Sequence, residues 1–292
     1  MKQYIEFKKQ RELGEILSDT FAFLRNEFKP FITTILKVSG PYILFFMISL
    51  VLYMYTVGDV FNFANIQSNS LDNFSPLLML VALLLFAISG LLAYVFANST
   101  AMHYIKSYIN YGGRIDEFEI KQEVKDTFWS FIGLGILKWI VLIFAIMLCF
   151  FPVFYFIVPM AMVFSILVFE KRDAMDSFNY SFSLIKDEFW VTLATIIIIG
   201  IIVMVASYAF GLPAAIYSII KMGIFSGEVD PGNMLSFSDP IYIILNIVSY
   251  AARFLLNLIT VVAYVFIYFN LNERKNFTGT FEQIQRIGNT EE

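Results

Sequence analysis

Six long apolar runs restrict what this chain can fold into. They cover roughly residues 31–57, 76–102, 128–149, 153–169, 190–220 and 241–270. A helix that spans a bilayer needs about 17–25 predominantly apolar residues, and each run is of that order or longer. Hydrophobic residues make up 59% of the chain and charged residues 15%, against about 45–50% and about 25% in soluble domains. The sequence therefore predicts an all-α integral membrane protein with six transmembrane helices.

The apolar stretch from residue 128 to residue 169 is too long for a single span. Phe150, Phe151 and Pro152 lie near its middle, where a proline interrupts helical hydrogen bonding. We expect two short helices in a tight hairpin. With the flanking runs, this gives six helices arranged as three hairpins.

The basic residues predict the orientation of the spans. Of the 20 Lys and Arg residues, 16 fall in the N-terminal segment, the loops after spans two and four, and the C-terminal segment. The opposite loops contain only Lys221. Because short cytoplasmic loops carry an excess of Lys and Arg, both termini are expected in the cytoplasm.

Each cytoplasmic segment ends in an amphipathic stretch that leads directly into a span. Residues 20–28 (TFAFLRNEF) and 181–189 (SFSLIKDEF) share their chemical pattern, and residues 125–129 (KDTFW) end the middle loop similarly. This pattern is typical of helices that lie in the headgroup plane. We interpret it as three repeated units, each an interfacial amphipathic helix followed by a hairpin. Alternatively, any interfacial helix rich in Phe and acidic residues would show the same pattern.

The expected organisation has three parts. Residues 1–29 form a polar, amphipathic cytoplasmic segment, residues 30–270 form the six-span membrane domain, and residues 271–292 form a cytoplasmic tail. The N-terminal segment is too charged for a cleavable signal peptide.

Charged residues inside the spans are the first candidates for a functional site, because charge in a bilayer is costly and usually functional. Arg253 lies near the middle of the sixth run, with Asn257 one helical turn further on the same face. Lys138 lies well inside the third run. Arg253, Asn257 and Lys138 are therefore a candidate intramembrane polar site. Alternatively, Arg253 reaches the outer headgroups and Lys138 extends to the nearer surface.

Small residues recur at every fourth position on two spans, which lets helix backbones approach closely. The candidate helix-packing residues are Ser89, Ala93, Ala97 and Ala101 on span two, and Ser207, Gly211 and Ala215 on span five. Glu170 begins a short charged segment that follows span four. It is a candidate for a specific structural contact with another side chain.

Sequence motifs for catalysis are missing, so no catalytic residue is assigned and the protein is not expected to be an enzyme. One Cys and one His cannot build a thiolate or histidine metal site. No metal and no cofactor are therefore expected. The net charge of −4 does not indicate nucleic-acid binding.

Several segments resemble the membrane domain of some glycerophosphoryl diester phosphodiesterases and of related stand-alone bacterial membrane proteins. The resemblance covers the N-terminal third and the region around residues 160–190. It lies in residues 11–21 (RELGEILSDTF), 28–30 (FKP), 168–170 (VFE), 174–178 (AMDSF) and 183–186 (SLIK). It implies a six-helix integral domain without the catalytic barrel, which this chain has no room to encode.

The resemblance also implies an accessory role in a bacterial membrane system. We therefore expect a non-catalytic component or scaffold of a complex in the bacterial inner (plasma) membrane. Its expected partners are membrane lipids and other membrane proteins, in a homo- or hetero-oligomer. The alternative is a transporter or channel for a lipid or a small anion, which would use the polar site around Arg253. An intramembrane enzyme is a third, weaker hypothesis.

Overall fold

The structure is a computed structural model that describes residues 4–60, 75–148, 151–222 and 239–288. Within these residues it consists of nine helices and contains no strand. The helices are α1 (Leu13–Val60), α2 (Ser75–Asn110), α3 (Glu117–Asp126), α4 (Phe128–Met147), α5 (Phe151–Glu170), α6 (Ala174–Ile185), α7 (Phe189–Lys221), α8 (Pro240–Asn276) and α9 (Thr278–Gly288).

Six of these helices are long and apolar enough to cross a membrane, namely α1, α2, α4, α5, α7 and α8. The expected all-α membrane protein with six spans is thereby confirmed. The arrangement of the spans as three hairpins stays a prediction.

The apolar stretch 128–169 contains two helices, as its length requires. Helices α4 and α5 have 20 residues each, or about 30 Å at 1.5 Å per residue, which matches the hydrocarbon thickness. They pack against each other, and the Phe131 and Phe164 rings stack at 5.0 Å. Of the residues at the expected break, Phe150 lies outside the described residues, and Phe151 and Pro152 form the first turn of α5.

The amphipathic stretches take two forms. The first is continuous with its span, because α1 begins at Leu13 and passes through Pro30 without interruption. The other two give separate short helices, α3 and α6, which begin at the N-caps Asp116 and Asp173. Each Asp carboxylate accepts hydrogen bonds from free amides of the first turn, as N-cap residues do. Their position in the headgroup plane stays a prediction.

The chain divides into two compact units. Unit 1 comprises residues 1–38, 95–202 and 258–292, and unit 2 comprises residues 39–94 and 203–257, in each case where the structure describes them. Unit 1 contains α3, α4, α5, α6 and α9 and parts of the four longest helices. Unit 2 is built from the remaining parts of α1, α2, α7 and α8.

The N-terminal segment is part of the core of unit 1. Phe7 is 1% exposed, and its ring stacks on Phe266 at 4.2 Å and meets the edge of Phe23 at 5.3 Å. The backbone amide of Ile5 donates to the Tyr108 hydroxyl at 3.1 Å. The described part of the N-terminal segment is thus anchored in the core by Ile5 and Phe7, which precede α1.

Unit 2 is held by aromatic rings and one hydroxyl pair. Phe86 stacks on Phe46 at 5.3 Å and on Tyr53 at 5.1 Å. Ser49 and Ser89 share a buried hydrogen bond of 2.6 Å. In an apolar environment such a bond fixes the pairing of α1 with α2, because an unpaired hydroxyl is costly there.

The C-terminal segment is ordered by a buried carboxylate. Helix α8 continues to Asn276, and α9 follows almost at once. Glu273, 1% exposed, accepts hydrogen bonds from the Thr278 hydroxyl at 2.6 Å and the Thr280 amide at 3.4 Å. A negative charge at a helix N-terminus stabilises the helix.

Gly279 lies against the N-terminal segment. A Cβ at this position would lie 2.5 Å from the Lys8 carbonyl oxygen, so glycine permits the close approach of α9 to the backbone at Lys8.

We expect Gly279→Ala to destabilise the protein by about 1–3 kcal/mol, because the methyl group would collide with the backbone at Lys8. Thermal unfolding in detergent would show a lowered Tm. Gly14→Ala is a matched control, since Gly14 is also the second residue of its helix but has no neighbour within 4 Å of its Cβ position. That control should be neutral or slightly stabilising. Equal Tm values for both variants would contradict the close approach.

Candidate functional site

Arg253 projects from the part of α8 that belongs to unit 2, and its side chain is exposed. Its guanidinium carbon lies 5.6 Å from the Tyr250 ring centroid. One terminal nitrogen lies 3.3 Å from the position that a Cβ on Gly211 would occupy. No ion pair forms with Arg253 among residues 4–60, 75–148, 151–222 and 239–288. Asn257 lies one turn further along α8 and is half-buried.

A polar cluster at the end of α7 and the start of α8 gives a reference point for the position of Arg253. Asp239 pairs with Lys221 at 3.2 Å and accepts a hydrogen bond from the Tyr217 hydroxyl at 3.0 Å. Charged clusters of this kind belong at a membrane surface. Gly211 precedes Lys221 by ten residues, or about 15 Å of helix. The guanidinium beside Gly211 therefore lies about half a hydrocarbon thickness from the cluster.

Lys138 belongs to unit 1 and Arg253 to unit 2. The half-buried Lys138 lies on α4, and its ammonium lies 5.6 Å from the Phe164 ring centroid on α5. A cation over an aromatic face is stabilised by the ring quadrupole. This contact gives Lys138 a local partner within unit 1.

The two small-residue lines differ in exposure. Ser89, Ala93, Ala97 and Ala101 on α2 are all buried, at 3% exposure or less. On α7, Ser207 and Gly211 are half-buried and Ala215 is exposed. The line on α2 is thus packed inside the chain, and the line on α7, next to Arg253, retains open surface.

Unit 1 contains a large polar cavity of about 790 Å³. It lies among the N-terminal segment, the end of α2, α3, the α5–α6 turn, the end of α8 and α9. The lining residues are Lys8, Lys106, Ile109, Asn110, Glu119, Glu123, Phe169, Glu170, Lys171, Arg172, Tyr180, Tyr268, Phe269, Asn272, Asn276, Thr278 and Glu282. Its volume is in the range of sites that hold small molecules.

Glu170 lies on the wall of this cavity and has two partners. It accepts a hydrogen bond from the Arg172 Nε at 2.6 Å and from the Tyr268 hydroxyl at 3.2 Å. The Arg172 guanidinium also lies 4.0 Å from the Tyr180 ring centroid. The hydrogen bond to Glu170 raises the pKa of Arg172. Glu170 thus links the end of α5 to α8 and orients Arg172.

Glu123 forms a second charged group at the cavity, together with buried His103. Its carboxylate pairs with Lys106 and lies 3.0 Å from the His103 Nδ1, while the His103 Nε2 lies 3.0 Å from the Thr127 hydroxyl. Burial alone would raise the pKa of Glu123, but the hydrogen bonds from His103 and Lys106 lower that pKa to about 2. Glu123 is therefore ionised at neutral pH and ties α3 to α2.

A third ion pair closes the cavity between the two termini of the described chain. The Lys8 Nζ and the Glu282 Oε1 lie 2.5 Å apart.

Sequence analysis did not predict this cavity, because its walls come from segments far apart in sequence. The one local signal was the apolar pair Ile5 and Phe7 within a charged segment, which indicates a buried rather than a solvated N-terminus.

Metal-ligating side chains do not cluster in the part of the chain that the structure describes: no group of three or more His, Cys, Asp or Glu residues could hold a metal ion there.

Comparison with known proteins gives no relative: no family model, no curated protein and no solved structure matches this chain.

We expect Glu123→Gln to lower the stability of the protein at pH 7, because it removes the charge that pairs with Lys106. A carboxylate whose pKa is lowered on folding stabilises the fold above its ordinary pKa of 4.5, and this contribution is lost as the pH falls towards about 2. The difference in Tm between wild type and Glu123→Gln should therefore shrink between these pH values.

The matched control is Glu117→Gln, also on α3, because Glu117 pairs with the exposed Lys37 at 2.6 Å. Exposed ion pairs contribute little, so its Tm should stay close to that of wild type at pH 7. A wild-type advantage over Glu123→Gln that persists unchanged at pH 2 would contradict the ionised state of Glu123.

Proposed function

We propose that this integral membrane protein is a non-catalytic component of a membrane protein complex and that it docks through the surface around Arg253. The observation that carries the proposal is the exposed guanidinium of Arg253, to which the described residues offer no carboxylate. An Arg near the centre of a bilayer costs at least about 2.5–3.5 kcal/mol. A partner that supplies an acidic or polar group would offset that cost.

The surface beside Arg253 suits a helix of such a partner. Gly211 and Ala215 lie on the same line of α7 as Ser207, and small side chains let a second helix approach closely. Exposed apolar residues flank them, including Leu212 at 55% and Val248 at 56%. We define the α7–α8 face as Gly211, Ala215, Val248 and Arg253. In this proposal the α7–α8 face contacts a second copy of the chain or another membrane protein.

The non-catalytic part of the proposal is supported by the absence of enzyme motifs from the sequence. The resemblance to the membrane domain of glycerophosphoryl diester phosphodiesterases and to stand-alone bacterial relatives supports an accessory role.

We place the protein in the bacterial inner membrane with both termini in the cytoplasm. The excess of Lys and Arg in the segments on one side supports this orientation. Trp129 and Trp190 support the position of two span ends at a membrane surface, without indicating which surface. Each is the second residue of its span and 77% exposed, which is typical of an interfacial aromatic belt.

The second candidate function is transport of a lipid or a small anion. It is favoured by the surroundings of Arg253, where Ser249 and Tyr250 lie on the same helix and the guanidinium packs against Gly211 without an ion pair among the described residues. A guanidinium binds phosphate and carboxylate in a bidentate manner. A bound anion in this position would neutralise Arg253 without any protein partner.

The experiment is native mass spectrometry of the protein extracted from its own membranes into lipid-preserving particles. For wild type we expect a stoichiometric protein partner, either a second copy or another chain. Arg253→Leu should reduce the retained partner at least about tenfold, because loss of one buried ionic contact costs more than 1.4 kcal/mol. Lys221→Leu, which removes a cation of unit 2 that already pairs with Asp239, is the matched control and should keep the partner.

A wild-type protein that is monomeric and carries no partner would overturn the proposed docking role. If that monomer instead retains one phosphate-bearing lipid that Arg253→Leu loses, the transport function is favoured. A partner that is retained equally by wild type and by Arg253→Leu would show that docking does not depend on Arg253.

A further inference from the structure

The charge on the α7–α8 face restricts what can cover that face. The Arg253 side chain is exposed, and one of its terminal nitrogens lies 3.3 Å from the position that a Cβ on Gly211 would occupy. Within the described ranges it forms no ion pair. The apolar side chains of Leu212 and Val248 nearby are 55% and 56% exposed. A neighbouring molecule can therefore reach the guanidinium at the surface of the helix pair.

The depth of this guanidinium argues against a lipid headgroup as its partner. It lies beside Gly211, about 15 Å of helix from the charged cluster of Lys221 and Asp239 at the membrane surface. The other end of α7, at Phe189, is more than twice as far along the helix. Lipid phosphates lie at the two surfaces, so neither surface places a phosphate within hydrogen-bond distance of the guanidinium.

A second copy of the chain does not supply the missing charge either. All 24 acidic residues lie outside the six apolar runs of the sequence, so a copy offers no carboxylate at the depth of Arg253. In a symmetric dimer the same surface of both copies meets across a two-fold axis. The two Arg253 guanidiniums would then approach each other, and like charges repel strongly where the dielectric constant is low. The α7–α8 face is therefore unsuited to self-association.

We propose that the α7–α8 face binds a transmembrane helix of a different protein, which carries one Asp or Glu near the middle of its span. Ionisable groups inside a membrane pair with one another, and a guanidinium donates two parallel hydrogen bonds to one carboxylate. The small residues Gly211 and Ala215 let the partner helix approach α7 closely, which brings its carboxylate to Arg253. This inference rests on the proposed docking role and narrows it to a complex of two different chains.

The test uses the full-length protein in phosphatidylcholine vesicles and labelled synthetic helices as probes. Each probe is a span of about 20 Leu and Ala residues between lysine flanks, with Asp, Asn or Leu at its centre. The central residue keeps its depth in either orientation of the probe. Energy transfer should show that the Asp probe binds at least about tenfold more tightly than the Asn and Leu probes. An Asp near the end of the span should give no such gain, because it lies too far from Arg253.

Three variants of the protein connect this preference to Arg253. Arg253→Leu should bind the Asp and Leu probes equally. Arg253→Glu should bind a probe with a central Lys more tightly than the Asp probe, and a misfolded protein would not show such a reversal. Lys138→Met is the matched control, because Lys138 is also a cation inside a span but lies over the Phe164 ring. This control should keep the preference of wild type for the Asp probe.

The proposal is overturned if wild type binds the Asp probe no more tightly than the Asn or Leu probe, or if Arg253→Leu keeps the Asp preference. It is also overturned if native mass spectrometry identifies the Arg253-dependent partner as a second copy of the chain. That last result would leave the docking role of Arg253 intact. A phosphate-bearing lipid in place of any protein partner would overturn both the docking role and this inference.

Discussion

The buried guanidinium of Arg11 organises the part of the molecule that contains the cavity. It is 2% exposed and donates to the backbone carbonyls of Glu6, Phe7 and Lys9, while its Nε donates to Asp19 at 2.8 Å. Burial lowers the pKa of Arg11 and the contact with Asp19 opposes that shift. Because three backbone carbonyls within four residues converge on one cation, the N-terminal segment is fixed rather than free.

This fixed segment determines where the cavity wall lies. The Arg11 amide donates to the Asn270 side chain at 2.8 Å, and its guanidinium lies 4.7 Å from the Phe266 ring centroid. Both partners are on α8, so the segment is held along that helix. Lys8 is thereby placed against Gly279 and Glu282 of α9. A single charged residue thus joins both ends of the described chain to the last span.

Hydropathy predicted the six spans because that signal is local: each span is recorded in about 20 consecutive residues. The break between α4 and α5 followed from the length of the stretch and Pro152. The cavity could not be predicted, because Lys8, Glu170 and Glu282 are far apart in sequence and only the folded chain brings them together. Arg253 was recognisable as unusual, but its neighbour Gly211 on α7 could be identified only in the structure.

Arg11 and Arg253 show what this fold does with a cation that is removed from water. Arg11 is almost completely buried and receives three carbonyls, one carboxylate and one aromatic ring. Arg253 is exposed on an apolar helix, and among the described residues its guanidinium lies 5.6 Å from the Tyr250 ring centroid and forms no ion pair. Since an unpaired charge in hydrocarbon is destabilising, we propose that another molecule completes the surroundings of Arg253. That contrast between two arginines is the physical basis for seeking a function at the α7–α8 face.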